Sequence, residues 1–222
     1  MKNGIYECCM AIIRSKWWKL LEQWRAVAFL VGGVIFVADV ALVGSHLASG
    51  TEPAAFGQVL VGTAWTASFI GLLGMYPSLR DRSRWLARIG AICAVIGGVT
   101  MAVMALTFLG DVTNVLPSSP SKVVTLLLPG IFIGIVLGFG SFGVVSLRTD
   151  IYSPSVGLLF LLLVFTFLFN VGSTIAGFGS LTTVLGVVVV LALSKLTLGY
   201  LFRTESAFAD PERVEASRDS LA

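Results

Sequence analysis

Long apolar runs alternate with short polar connections along this chain. Six runs, at 26–48, 55–76, 89–110, 123–147, 156–176 and 182–202, each supply the apolar length of a membrane-crossing helix. Such a helix needs roughly 20 apolar residues to cross about 30 Å of hydrocarbon. The first run contains Asp39, the fifth Asn170 and the sixth Lys195; strongly polar side chains are otherwise nearly absent from them. The pattern predicts an all-α, polytopic membrane bundle of six transmembrane helices.

Composition agrees. Of 222 residues, 56% are hydrophobic and only 12% charged, with a mean hydropathy of +0.94. A soluble domain is nearer a quarter charged, and one of this size leaves too much surface outside to hide so many apolar residues. The 24 glycines fit as well, since glycine is commoner in membrane helices than in soluble ones.

The connections add a direction. Lys2, Arg14, Lys16, Lys19 and Arg25 precede the first run, and Arg80, Arg82, Arg84 and Arg88 follow the second. Arg148 follows the fourth, and Arg203, Arg213 and Arg218 follow the sixth. With six crossings all of these fall on one side, leaving only Lys122 opposite. An excess of Lys and Arg marks the cytoplasmic side, so both termini are expected in the cytoplasm of a cell-membrane protein. Trp17, Trp18, Trp24, Tyr76, Trp85, Tyr152 and Tyr200 lie near the same face, where aromatic rings favour the headgroup layer. Residues 1–25 mix apolar and basic side chains and read as an interfacial amphipathic helix leading into the first span. They do not read as a cleaved signal, because the apolar run is too long and lacks a small-residue cleavage site; Met10 is an alternative start. The polar segment 203–222 ends acidic, and it is expected to be a disordered cytoplasmic tail.

Close backbone approach holds membrane helices together, because lipid tails do not drive apolar helices into contact. Gly130, Gly134 and Gly138 give the fourth span a glycine face, and Gly90, Ala94 and Gly98 repeat the spacing in the third. The partner of such a face is either another span or a second subunit. Pro129 is expected to kink the fourth span.

Ionisable groups inside a membrane are costly and mark candidate sites. Counted from the cytoplasmic end at about 1.5 Å per residue, Asp39 lies ~20 Å deep and Asn170 ~21 Å, with Thr63 at similar depth. His46 is seven residues after Asp39, on the same helix face. Thr166, Ser173, Thr174 and Gly177 share a face with Asn170. Asp39 must be protonated, paired or in contact with water. Either Asn170 caps a buried Asp39 and the cluster ties spans together, or the polar line from His46 inward forms a proton or solute path. Lys195 lies ~10 Å from the cytoplasmic end of its span, and its long stem is expected to snorkel to the headgroups rather than pair with Asp39.

Other chemistry is hard to place. Cys8, Cys9 and Cys93 have no metal or redox spacing, and His46, the lone histidine, supports neither a metal site nor bis-histidine haem. Gly140–Gly143 lacks the nucleophile-elbow pattern, and no zinc-protease or phosphate-loop motif occurs. A lysine in the last span invites comparison with a retinal Schiff base, but a seventh span and an acidic counter-ion in span three are missing. A net charge of +3 is too small for a nucleic-acid footprint.

Three segments, 71–91 (GLLGMYPSLRDRSRWLARIGA), 146–162 (SLRTDIYSPSVGLLFLL) and 198–206 (LGYLFRTES), resemble a group of small, uncharacterised multi-pass membrane proteins of halophilic archaea. With the cytoplasmic connections and adjoining spans in which these segments lie, the likeness covers about half the chain and leaves residues 1–24 outside. It implies a cell-membrane location and a polytopic helical fold, and carries no activity or catalytic residue with it.

The expected function is therefore a non-enzymatic structural, partner-binding or regulatory role in the bilayer. No cofactor or metal is expected, and the glycine faces are candidates for contact with a homo-oligomer or a membrane partner. The alternative is a small proton-coupled transporter or channel using Asp39.

Overall fold

A computed structural model describes residues 2–50, 55–80, 82–113, 115, 120–149 and 151–208; of the disordered tail expected at 203–222, residues 203–208 are instead helical, and the rest lies outside the described residues. Helix α1 runs Lys2–Ser49, α2 Ala55–Gly74, a short α3 Tyr76–Arg80 and α4 Arg84–Val112. A composite span follows, made of α5 (Pro120–Phe132), a π-helical stretch Ile133–Phe139 and α6 (Gly140–Arg148). Helices α7 (Pro154–Ile175) and α8 (Leu181–Phe208) complete the bundle. Six helical segments are long and apolar enough to cross a membrane: Leu20–Ser49, Ala55–Gly74, Arg84–Val112, Lys122–Arg148, Pro154–Ile175 and Leu181–Thr204. Each overlaps one expected run.

The outer surface is as apolar as the core. Val34 on α1, Ile92, Val99 and Leu106 on α4, Phe165 on α7 and Leu193 on α8 all point outward, each more than half exposed. A contiguous surface of this kind would aggregate in water; in a bilayer it is the lipid-facing wall. The chain is a multi-pass membrane protein by the composition and length of its helices.

At 48 residues, α1 rises about 72 Å. The stretch expected as an interfacial helix leading into the first span is helical and continuous with it. Arg80, Arg82, Arg84, Arg88, Arg148 and Arg203 are exposed at one end of the bundle, called here the basic end, and Lys122 is exposed at the far end.

The fourth-span glycine face packs inside the chain. A Cβ at Gly130 would meet Thr100 Oγ1 at 2.6 Å, and one at Gly138 would meet the Ala94 backbone at 3.4 Å. Gly134 and Gly97 cross with their Cα atoms so close that a Cβ on either would overlap the other. The close neighbour on α4 is thus Gly97, while Gly98 only touches Phe69. Pro129 precedes the crossing and removes one backbone donor; the helix widens to π geometry just beyond it, and such a bulge is a recognised cause of bending.

Candidate functional site

The middle of the bundle is filled by aromatic rings in contact. From the basic end inward run Tyr152, Phe202, Phe29, Phe160, Phe139, Trp65 and Phe36, with successive centroids 5.5–6.1 Å apart. These separations suit edge-to-face and offset packing. A buried cation sits at each end of this row.

At the basic end the cation is Arg25, 9% exposed. Its guanidinium lies 5.2 Å from the centroids of both Tyr152 and Phe202. It donates a 2.7 Å hydrogen bond to Tyr152 Oη and stands 3.9 Å from Glu22. Glu22 in turn accepts a 2.8 Å hydrogen bond from the Ser78 hydroxyl. The cluster links α1, α3, the connection before α7 and the end of α8. Arg25, expected only as one of the basic residues that set orientation, therefore belongs to a buried cluster, and Tyr152, 6% exposed, is a core residue rather than a headgroup anchor.

At the inner end the cation is Lys195, 0% exposed. Its Nζ lies 3.7 Å from the Trp65 ring centroid and 4.2 Å from that of Phe36. No hydrogen-bond partner reaches it among the described residues. The expected snorkelling is overturned. Side chains on a helix lean toward its N-terminus, and the N-terminus of α8 is at the far end. The lysine stem is thereby aimed into the bundle, away from the nearer basic end. Lys195 also belongs to the inward stripe Val188, Leu191, Lys195, Leu198 and Phe202. Sequence periodicity could not show this in a helix that is apolar all round. Gly199, four residues on, packs against Leu30 and was the available signal for the buried face.

Asp39 is 2% exposed and continues the α1 stripe of Gly32, Phe36 and Val43. A Cβ at Gly57 would sit 3.4 Å from its Oδ1, ordinary van der Waals distance, so the carboxyl lies against α2 at Gly57. Thr63 is six residues farther along α2, about 9 Å of rise. It is exposed and donates to the Val59 carbonyl of its own helix at 2.7 Å. Asn170 is half-buried, and the hydroxyls of Ser173 and Thr174 bond its backbone carbonyl, each at 2.9 Å, rather than its side chain. His46 is half-buried near the far end of α1. No hydrogen bond joins Asp39 to Thr63 or Asn170. The Asp39 carboxyl lies against Gly57 of α2, and Phe36, one ring of the Lys195 cage, is three residues before it on α1.

Apolar grooves open on the outer wall. One of 480 Å³ lies between α7 and α8, lined by Leu162, Phe165, Thr166, Phe169, Thr183, Gly186, Val187 and Val190. Another of 370 Å³ between α1 and α2 has a wholly apolar lining that includes Trp24 and Val31. Neither is lined by Asp39 or Lys195. No group of three or more metal-ligating side chains occurs among the described residues, and Cys93 is a buried free thiol. No family model, curated protein or solved structure matches the chain.

Proposed function

We propose that this chain is a non-enzymatic protein of the cell membrane with a structural, partner-binding or regulatory role, its basic end and both termini in the cytoplasm. The supporting observation is the interior itself. Stacked rings fill it, and its buried cations lie against those rings rather than around a ligand-sized space. An intramembrane enzyme needs several polar groups converging on one pocket, whereas the grooves described here are apolar and open outward.

The second reading, a proton-coupled carrier or channel, draws on Asp39, a carboxyl buried within the first span. Purified protein in liposomes separates the two. The first reading predicts that proton uptake with wild type equals that of empty vesicles, and that Asp39→Asn changes nothing. Uptake above empty vesicles that disappears in Asp39→Asn would overturn it in favour of the carrier.

A further inference from the structure

We infer that Asp39 and Lys195 form one intramembrane charge pair, in which the Asp39 carboxylate is the counter-charge of an ammonium held against Phe36 and Trp65. Two ring faces 3.7 and 4.2 Å from Nζ are an environment that favours an ammonium. Rings stabilise a cation without neutralising it, and a lone buried charge is expensive unless an opposite charge compensates it. The counter-charge must come from inside the bundle, because Lys195 is fully enclosed.

Asp39 is the acid placed for this role. Gly33 of α1 faces Leu196 of α8, and Gly199 of α8 faces Leu30 of α1. This antiparallel register sets Lys195 level with Val34 and Asp39 level with Val190, a difference of about 7–8 Å along the axis. The two side chains lean toward each other across that gap. Each leans toward the N-terminus of its own helix, and the two helices run in opposite directions. The four-carbon stem of lysine carries Nζ up to the Phe36 ring, and Phe36 is three residues from Asp39 on the same α1 face. The ion pair is not in direct contact, since Arg25–Glu22 is the only described pair within 4.0 Å. Other ionisable groups of these helices stand elsewhere: Arg25 and Glu22 hold each other at the basic end, and His46 lies near the far end. Cys93, the buried thiol of α4, belongs to a helix that packs on α2 and the composite span. The inference does not depend on whether the protein moves protons.

The test uses the full chain with ¹³C-carboxyl aspartate in lipid nanodiscs. Infrared spectra of wild type should lack a protonated-carboxyl band from Asp39, identified by comparison with Asp39→Asn. Lys195→Met should gain that band, and Asp39→Asn/Lys195→Met should lose it again. Thermal unfolding should show each single substitution lowering the midpoint and the double losing clearly less than the two losses added. A protonated Asp39 band in wild type, its absence in Lys195→Met, or additive losses would each overturn the pair. If a single variant does not fold, the comparison of wild type with the double variant still decides whether Asp39 is ionised.

Discussion

Arg25 and Lys195 are two buried cations on one row of rings, and the protein treats them differently. Arg25 has two ring faces, a phenol oxygen and a carboxylate that is itself held by Ser78. Lys195 has two ring faces and no hydrogen bond among the described residues. The difference follows their depth and chemistry. Near the basic end, connections between helices bring polar groups such as Ser78 and Tyr152 within reach, and a planar guanidinium can stack and donate at once. In the middle, every neighbouring helix is apolar, so a compact ammonium is left to π faces and a counter-charge on α1. One cation fastens helices by directed bonds; the other is tolerated by enclosure.

This contrast can be broken most forcefully at Trp65. Trp65→Ala removes the ring that touches Phe36 and Phe139 and forms one wall around Nζ. It should destabilise the protein by about 3–5 kcal/mol, read by thermal or denaturant unfolding in micelles. A loss below ~1 kcal/mol would mean that the ring does not enclose Lys195. Tyr152→Phe keeps the ring face over Arg25 and deletes only the acceptor. Since hydrogen bonds to charged groups contribute about 1.5–3 kcal/mol, a loss in that range is expected, and an unchanged midpoint would reduce the Arg25 cluster to ring contacts alone. Ser78→Ala sharpens the outer limit of the cluster. Glu22 is partly exposed, so its loss should be smallest, at most about 1 kcal/mol. A loss as large as that of Tyr152→Phe would place the centre of the cluster on Glu22 instead.

Much of the fold was legible in the sequence, because a bilayer imposes length and apolarity on each crossing. The six runs, the glycine face at Gly130, Gly134 and Gly138, and the disturbance after Pro129 all come from local constraints. The candidate site was less legible. Depth counting put Thr63 level with Asp39, but the contact at Gly57 shows that α2 meets α1 in a different register. Arg25 looked like one more cytoplasmic charge, because nothing local reveals that Tyr152, 127 residues away, supplies its acceptor. Lys195 was assigned to the headgroups because its stem is long enough to reach them. Its direction was set instead by the lean of α8 and by Gly199, which turns that face toward α1.

The enclosure of Lys195 can be measured directly. Native protein in micelles is treated with a water-soluble amine-acylating reagent, and peptides are read by mass spectrometry. The structure predicts rapid modification of exposed Lys122, and modification of Lys195 only after denaturation. Acylation of Lys195 in the native protein at the rate of Lys122 would contradict the account, because it would place the amine at the membrane surface.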